Sequence, residues 1–408
     1  MFVKRLTDLN VDCLLNIFRY CSETDLINLC KVSNVLLQII EENVFYVQSL
    51  DLLMCGHRNQ PNIQQRTELP LSYFGRITIS KNWVEGRYRE REYFHHSRMF
   101  AKKLHLERNW LYISHSSMIR KHRRKPLEKR YHQEIGSNAK SDIADFVKKQ
   151  DTIFAGRICG SCFICENDSV TEQRMHTSCE YLYSVDFVND LYVTSTDQFG
   201  KLWRKNNEFS LIHFDLLHII NNSYKVIKLS HDGSALFGGL YTDINRKALR
   251  EIDVETGKQT TLNSNTISIY DLKLKDDNIL FTANFDTTFR MFDRRTNRDE
   301  AIWEDPFDSS FYCLEYDGLY SVLCGAKYHS RVNLYDIRVP GKYIQLYFPQ
   351  RYSRQRACSS PVYSIACDSR YLFIATDHSL RVFDFKTEGI GNTAQDYRNI
   401  FSEIQRCN

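Results

Sequence analysis

Residues 278–293 read NILFTANFDTTFRMFD, and the order of these residues decides the fold of most of the chain. An apolar run from Asn278 to Ala283 precedes a polar turn containing Asp286, and a second run ends at Phe292. From Thr288 onward apolar and polar residues alternate, which is the period expected of a strand with one buried face. The stretch therefore predicts two strands joined by a tight turn.

The same pattern recurs along the chain at a fixed distance from turn to strand end. A polar turn residue stands six positions before an aromatic residue in four copies, in the pairs Asp197 and Trp203, Asp286 and Phe292, His329 and Tyr335, and Asp377 and Phe383. Equivalent positions along the chain are Cys165, Trp203, Ile252, Phe292, Tyr335 and Phe383, with gaps of 38, 49, 40, 43 and 48 residues. A period in the forties with several strands per unit is typical of propeller blades.

Each copy is preceded by an apolar segment that predicts an innermost strand. These segments are Leu182 to Phe187, Val226 to Leu229, Ile269 to Leu274, Phe311 to Tyr316 and Val362 to Cys367. Weaker copies occupy Trp110 to His122 and Ile153 to Asn167, and a longer turn, Tyr241 to Leu249, stretches the fourth unit. We therefore predict an all-β propeller of seven four-stranded blades over residues 93–392, followed by a tail at 393–408.

Strand ends such as Leu202-Trp203 and Met291-Phe292-Asp293, each preceded by a polar turn, resemble degenerate WD repeats. The resemblance covers roughly residues 100 to 390, although Gly-His dipeptides are missing. In that family the turn aspartate accepts hydrogen bonds that lock the blade. The resemblance implies this role for Asp197, Asp286 and Asp377, and His329 departs from the pattern.

Residues 1–45 have the pattern of three short helices. Four apolar residues follow the spacing i, i+3, i+4 and i+7, namely Val11, Leu14, Leu15 and Phe18. Asn10 is a cap for this helix, Ser22 to Asp25 form a capping box, and a third helix follows Ser33 or Asn34. Helices this short bury little core alone, so we expect a partner surface.

This segment resembles an F-box. The matching residues are Leu9, Asp12, Leu14-Leu15, Ile17-Phe18, Asp25-Leu26, Leu29-Cys30 and Val32-Ser33. Asn10 stands in place of the family proline and Leu36 in place of a late tryptophan. The resemblance implies binding of a Skp-type adaptor, and through it a cullin and a RING protein. The residues to which it assigns this contact are Leu9, Val11, Leu14, Leu15, Ile17, Phe18, Leu26, Leu29 and Val32.

An F-box followed by WD repeats is the architecture of substrate receptors of SCF ubiquitin ligases. Within that class, the Asn82-Trp83 segment and the basic connector look most like the dactylin type. The resemblance implies a non-catalytic adaptor whose propeller binds a protein substrate, phosphorylated or not. Residues 46–92 would be an ordered connector that sets the distance between the two modules. The alternative is a WD-repeat scaffold for protein interactions without ligase activity.

Loops at one end of a propeller meet at the mouth of its channel, where a peptide can dock. Residues beside the turns are therefore candidates for substrate binding, namely Thr196, Phe285, Tyr328 and Thr376; the alternative is ordinary loop residues. Basic residues also recur in the aromatic strands, at Lys201, Arg290 and Arg381. We expect these to be solvated side chains, with a phosphate-binding cluster as the alternative.

Composition excludes several classes of protein. No apolar run approaches the roughly 20 residues of a membrane span, and the start MFVKRL is not a secretory signal. The 13 cysteines are scattered through apolar strands, which favours reduced core residues and a location in the cytoplasm, the nucleus or both. Cys162 and Cys165 stand three positions apart on one predicted strand, so they face opposite ways. We expect no metal site and no cofactor.

Charge and motifs point away from nucleic acid and from catalysis. The net charge is only +4, and the basic segment Arg120 to Lys125 lacks an accompanying reader motif. We interpret it as a solvated loop, with a nuclear-import segment or an acidic-partner site as alternatives. The chain has no glycine-rich phosphate loop, no His-Glu-x-x-His and no serine elbow. We therefore expect that the protein is not an enzyme.

Overall fold

The computed structural model describes residues 6–56, 63, 66, 67, 70–95, 103–124, 130–208, 211–328, 330–349 and 360–387. A small helical module at the amino-terminal end is followed by seven four-stranded sheets. The predicted combination of short helices and a seven-bladed propeller is confirmed. None of the helices in the described ranges is long and apolar enough to cross a membrane.

The helical module begins with a single 3-10 turn and continues almost without interruption to residue 48. Its elements are the 3-10 turn Leu6–Asp8, helices Val11–Phe18 (α1), Glu23–Val32 (α2) and Asn34–Ile39 (α3), the π-helical segment Ile40–Phe45 and helix Tyr46–Gln48 (α4). Its core consists of Leu14, Phe18, Leu26, Leu36, Ile40 and Phe45. A longer helix, Tyr73–Glu85 (α5), lies between the module and the propeller.

Side chains that satisfy free backbone N–H groups set the starts of these helices. Asn10 caps α1, as predicted. The backbone N–H of Asp25 donates to Ser22 Oγ at 3.2 Å, and the N–H of Ser22 donates to Asp25 Oδ2 at 3.0 Å. This reciprocal pair is the predicted capping box. Ser33 Oγ accepts from the N–H of Val35 at 3.2 Å and so starts α3.

All strands pair in an antiparallel manner within their sheets. The strands in chain order are Arg89–His95 (β1), Leu104–Leu106 (β2), Trp110–His115 (β3), Met118–Arg123 (β4), Tyr131–Ile135 (β5), Ile143–Lys149 (β6), Thr152–Arg157 (β7), Ser161–Glu166 (β8), Ser169–Arg174 (β9), Leu182–Val188 (β10), Leu191–Thr196 (β11), Phe199–Glu208 (β12), Leu211–Asn221 (β13) and Tyr224–Leu229 (β14). They continue as Ala235–Leu240 (β15), Leu249–Asp253 (β16), Gln259–Thr261 (β17), Ile269–Leu274 (β18), Ile279–Asn284 (β19), Thr288–Asp293 (β20), Arg298–Glu304 (β21), Phe311–Tyr316 (β22), Ser321–Ala326 (β23), Val332–Asp336 (β24), Tyr343–Tyr347 (β25), Ser364–Cys367 (β26), Tyr371–Ala375 (β27) and Ser379–Asp384 (β28).

Blades one to six each consist of four strands that are consecutive in the chain. In sheet order they are β2–β5, β6–β9, β10–β13, β14–β17, β18–β21 and β22–β25. First strands of adjacent blades contact each other, as β10 and β14 or β22 and β26 do, which places them innermost around the axis. The apolar side chains lie between the blades, so each sheet is covered on both faces.

Blade seven closes the ring with a strand from the other end of the propeller sequence. Its order is β1-β28-β27-β26, so β1 is the outermost strand of the last blade. Pairing with β1 leaves β28 without a free edge, which stabilises the ring against opening. Four residues of β1, from Arg89 onward, precede residue 93, the predicted start of the propeller.

Helix α5 packs against both parts of the molecule. Tyr73, Phe74 and Ile77 lie against the core of the helical module. Ile79 and Trp83, which are at most 1% exposed, are buried against blades six and seven. One continuous helix therefore joins the two parts through apolar contacts.

Trp83 is the centre of the contact with the propeller. Its ring stacks on Phe385 with centroids 3.6 Å apart, and its Nε1 donates to the carbonyl of Ser369 at 3.1 Å. The Tyr347 hydroxyl donates to the Trp83 carbonyl at 2.6 Å, and Asn82 Nδ2 donates to the Phe385 carbonyl at 2.8 Å. Ser369 lies in the turn between β26 and β27, so the connector covers the end of the propeller that carries these turns. We call this end the lower face.

Candidate protein-binding surfaces

The nine residues predicted to bind a Skp-type adaptor divide into buried and exposed groups. The buried group is at most 4% exposed and consists of Leu14, Phe18 and Leu26. Two residues are half-buried, Leu15 and Leu29. Four are exposed, Leu9, Val11, Ile17 and Val32. The buried group holds the helices together, so only the other residues are available to a partner.

The helical module exposes an unusual density of apolar side chains. Of the 23 exposed large apolar residues in the described parts of the chain, nine belong to the module, namely Leu6, Leu9, Val11, Ile17, Tyr20, Val32, Val35, Leu37 and Val47. Scattered single residues of this kind are normal, whereas a concentration on one small module marks an interaction surface. The prediction of a partner surface is consistent with this exposure.

A polar channel of about 660 Å³ runs along the propeller axis between the innermost strands. The connector contributes a side chain to this channel, because Arg66 lines it and forms an ion pair with Glu315. Lys273 Nζ donates to the same carboxylate at 3.1 Å. Burial alone would raise the pKa of Glu315, but Lys273 and Arg66 hold it at about 2. The carboxylate therefore stays charged and anchors the connector in the channel.

The opposite, upper end of the channel opens into a mouth of about 510 Å³. Every blade contributes a residue at or just before the start of its innermost strand to the lining, and seven of these, in blade order, are Lys103, Ala144, Tyr183, Lys225, Tyr270, Tyr312 and Tyr363. In blades two to six this residue lies at a register shift between the first two strands. A bulge of this kind redirects a side chain out of the regular ladder. We call these seven residues the mouth ring.

The mouth ring is mainly aromatic. Tyr270 and Tyr312 have ring centroids 4.8 Å apart, and Tyr312 and Tyr363 have centroids 6.3 Å apart. Burial raises the pKa of Tyr270 to about 12, so its hydroxyl stays protonated at neutral pH. Tyrosines with an apolar ring and a hydrogen-bonding tip are enriched at protein interfaces for this reason.

Further large apolar side chains are exposed on the upper face, above the mouth ring. They are Tyr181, Tyr241, Ile244, Phe285 and Tyr328. Ile244 is 94% exposed on the long turn between β15 and β16, where the sequence predicts a stretched fourth unit. An apolar patch around a concave polar channel is the arrangement expected of a peptide-binding surface.

Two of the four residues predicted to contact substrate are buried in their turns. The structure corrects the prediction for Thr196 and Thr376, which are both 0% exposed. Thr196 Oγ1 accepts from the N–H of Phe199 at 3.1 Å, and Thr376 Oγ1 lies 3.0 Å from Ser379 Oγ. Both threonines therefore stabilise turns. Phe285 and Tyr328 are exposed beside the mouth, and their contact with substrate stays a prediction.

The residues of the mouth ring were not predicted as binding residues, although the sequence carries a signal for them. An apolar residue followed by tyrosine begins four innermost strands, at Leu182-Tyr183, Ile269-Tyr270, Phe311-Tyr312 and Val362-Tyr363. The alternation rule assigns these tyrosines to a sheet face. At Tyr183, Tyr270 and Tyr312 a bulge redirects the side chain out of the ladder, and a bulge has no reliable signature in one sequence.

The basic residues of the aromatic strands are paired, so the expectation of solvated side chains is wrong. Arg290, only 6% exposed, contacts Asp286 at 2.9 Å and Asp299 at 2.8 Å. Arg381 contacts Glu90 at 3.0 Å. Lys201 Nζ lies 3.5 Å from a carboxylate oxygen of Glu180. These pairs lock the blades, and none of the three basic side chains is left free to bind a phosphate. The turn residue His329 lies outside the described residues.

The basic segment that begins at Arg120 is also structural in its described part, which corrects the interpretation as a solvated loop. Residues up to Arg123 form the strand β4. Arg120 Nε donates to Glu134 at 2.8 Å. The guanidinium of Arg124 is buried and forms an ion pair with Asp368 of blade seven. The charges therefore join neighbouring strands and blades.

Cys162 and Cys165 pack on opposite faces of β8, as the strand period predicts. Cys162 belongs to the core shared with blade three, and Cys165 to the core shared with blade one. Burial raises the pKa of both thiols, so neither forms a thiolate readily. In the described ranges no three metal-ligating side chains come together.

The fold and the sequence together define the class. The protein has an amino-terminal F-box followed by a seven-bladed WD-type propeller, and residues 6–48 match the F-box domain family. It is homologous to F-box/WD repeat-containing protein 4. Identity to the Mus musculus protein of that name is 26%, over 76% of this chain and 77% of the relative. Identity to the Homo sapiens protein is 25%, over 76% of each.

Proposed function

We propose that this protein is the substrate-recognition subunit of an SCF ubiquitin ligase. Its F-box binds a Skp-type adaptor and through it a cullin and a RING protein, and its propeller binds a protein substrate. The observation that carries the proposal is the arrangement of two interaction surfaces at opposite ends of one molecule. The F-box, with its exposed apolar side chains, joins the lower face of the propeller through α5, and the aromatic mouth opens on the upper face.

The protein acts by position and needs no catalytic group of its own. Helix α5 and the Arg66–Glu315 ion pair fix the connector to the propeller. A substrate held at the mouth therefore stands at a defined distance from the ligase components that the F-box recruits. This raises the effective concentration of its lysines near the ubiquitin-charged enzyme.

The proposal is tested by binding of a purified Skp-type adaptor to the intact chain and to the Val11→Asp/Ile17→Asp variant. Both side chains are about 40% exposed, so their replacement removes apolar contact area without opening the core. We expect adaptor affinity to fall at least about tenfold, the effect of losing an interface hot spot. The unfolding temperature is expected to change little. Leu14 and Phe18 are unsuitable positions, because an aspartate there would unfold the F-box.

Ile302→Asp is the matched control, since Ile302 is similarly exposed on the outer strand of blade five. Adaptor binding that is unchanged in the Val11→Asp/Ile17→Asp variant would sink the F-box part of the proposal. Failure to recover a Skp-type adaptor and a cullin with the intact chain from cells would favour the alternative of a scaffold without ligase activity.

A further inference from the structure

One cation of the mouth ring has no carboxylate partner among the described residues. The ammonium of Lys225 lies 4.1 Å from the ring centroid of Tyr183 and 5.8 Å from that of Tyr241. In contrast, Lys103, the other lysine of the ring, lies 3.8 Å from Asp145. No ion pair joins Lys225 to an acid in the described part of the chain, although salt bridges are abundant elsewhere in the propeller.

Because Lys225 is partly buried, its positive charge is energetically unfavourable without a partner. The side chain is half-buried and lines both the channel and the mouth, so it stands at the junction of the two. Burial, reinforced by the positive charge of Lys103, lowers the pKa of Lys225 to about 8, and Asp145 opposes the shift only in part. An anion that enters the mouth would raise the pKa of Lys225 again and gain a partly desolvated ion pair.

The side chains around Lys225 indicate which group of a ligand would lie beside the anion. Tyr183 and Tyr241 stack with centroids 6.0 Å apart beside the ammonium. Ile244 projects from the turn that also holds Tyr241, and Phe285 is exposed on the next blade. A ligand that places an anion on Lys225 therefore also meets apolar surface on the upper face. An extended peptide with an anionic group next to an apolar side chain fits both features.

The lining favours a carboxylate over a phosphate. Among the described residues, the lining of the mouth has two lysines and no arginine, and one of the lysines is already paired with Asp145. A doubly charged phosphate is held best by arginine forks, and the nearby Arg290 is occupied by Asp286 and Asp299. In the described lining of the mouth, one ammonium without a carboxylate partner matches a single negative charge.

We infer that the mouth binds a peptide carboxylate next to an apolar residue, with Lys225 as its ion-pair partner. The inference rests on the proposed function, because it names the chemistry of the substrate segment that the propeller receives. The carboxylate belongs either to an aspartate or glutamate side chain or to the end of a chain. These two sources share the same ion pair and differ only in what surrounds it.

The test uses the full chain and immobilised pools of eight-residue peptides with random flanks. Four pools end in an amide and carry Phe followed by Glu, Gln, phosphoserine or Lys at the centre. A fifth pool ends in Phe-Gln with a free carboxyl terminus. We expect the Glu pool or the free-terminus pool to be captured about tenfold better than the amidated Gln pool, as for loss of a charged hydrogen bond. Which of the two is captured identifies the source of the carboxylate.

Lys225→Met is expected to abolish the preference, and Lys225→Arg to retain it. The matched control is Lys258→Met, an exposed lysine of the same blade in the turn between β16 and β17 on the lower side. Thermal unfolding of each variant verifies that the propeller is intact. Preference for phosphoserine or Lys, no preference at all, or an unchanged preference in Lys225→Met would overturn the inference.

Binding of the Skp-type adaptor is measured on the same preparations. If the intact chain does not bind the adaptor but shows the carboxylate preference, the ligase proposal is wrong and the inference about the mouth stands. If the chain binds the adaptor but shows no carboxylate preference, the inference about the mouth is wrong and the ligase proposal stands. The two failures are therefore distinguishable.

Discussion

At the scale of single residues, polar side chains are buried in the propeller where they complete one another's hydrogen bonds. In blade three the indole of Trp203 donates to Thr194 Oγ1 at 3.0 Å. His176 Nε2 lies 2.7 Å from the same hydroxyl, and His176 Nδ1 lies 2.6 Å from Glu180 Oε2. A carboxylate only accepts, so Nδ1 carries the proton and neutral His176 accepts from Thr194 through Nε2. The chain of bonds ties β12 to the loop before β10.

The pKa of His176 makes this network sensitive to acid. Burial lowers it to about 4 in the folded protein, against 6.5 for an ordinary histidine. Protonation therefore favours the unfolded state, so the contribution of His176 is fully present above pH 6.5 and is lost as the pH falls toward 4. We expect the difference in unfolding temperature between the native chain and His176→Gln to be largest at pH 7 and to shrink by pH 5.

At pH 7 the His176→Gln variant should lose about 1 to 3 kcal/mol, the cost of leaving buried polar groups unsatisfied. Thermal unfolding followed by circular dichroism at pH 5, 6 and 7 measures the effect. His213→Gln is the control, because His213 is exposed on the outer strand of the same blade. Parallel pH profiles for the native chain and His176→Gln would contradict the account.

Single residues also show how far the sequence could be interpreted. The strand-end aromatics Phe292, Tyr335 and Phe383 are 0% exposed, and their spacing alone predicted the blades. Thr196 was misassigned because a threonine beside a turn has the same sequence signature whether it contacts a ligand or closes the turn. Arg290 was misassigned because its partner Asp299 lies on another strand, and periodicity carries no information on such pairs.

At the scale of elements, helix α5 is the feature on which the geometry depends. Its start is capped twice, by Ser72 Oγ, which accepts from the N–H of Gly75 at 3.0 Å, and by Glu41 of the F-box, which accepts from the N–H of Phe74 at 3.2 Å. The F-box therefore supplies a cap to the helix that joins it to the propeller. Its end is set by Gly86, whose φ of 66° suits glycine.

Trp83→Ala is expected to loosen α5 from the propeller. Removing this buried indole leaves a cavity against Phe385 and costs about 3 to 5 kcal/mol. Hydrogen exchange of the amides of residues 73–85 should show lost protection, and urea should unfold the protein at a lower concentration. Val84→Ala is the control on the same helix, because Val84 is 39% exposed and should change stability by about 0.5 kcal/mol or less. Unchanged exchange in Trp83→Ala would contradict the bridging role.

The sequence predicted an ordered connector from its aromatic content, but it could not predict the partners of its two elements. Helix α5 buries apolar residues on more than one side, so its pattern lacks a single stripe. Strand β1 pairs with β28, from which it is separated by most of the propeller. Closure of this kind depends on the geometry of the whole ring, and no local sequence pattern predicts the pairing of these two strands.

At the scale of the whole molecule, helix α5 joins the helical module to the lower face of the propeller, and the mouth opens on the upper face. Arg66 pairs with Glu315 in the lower part of the channel, and the mouth opens on the upper face. Repeat period and helix spacing were sufficient to predict both modules. Their relative placement follows from Trp83 and Arg66, whose contacts lie far away in sequence.

The proposed function requires that the F-box recruits a ligase while the mouth of the propeller holds the substrate. Affinity purification from cells treated with a proteasome inhibitor tests it directly, with the native chain, the F-box variant Val11→Asp/Ile17→Asp and the mouth variant Ile244→Ser/Phe285→Ser. We predict that the native chain recovers a Skp-type adaptor, a cullin and ubiquitin-modified partner proteins. The F-box variant should retain those partners unmodified without adaptor or cullin, and the mouth variant should retain adaptor and cullin without the partners. The proposed function would be contradicted if either folded variant lost both the ligase components and the partner proteins, or if neither variant lost any of them.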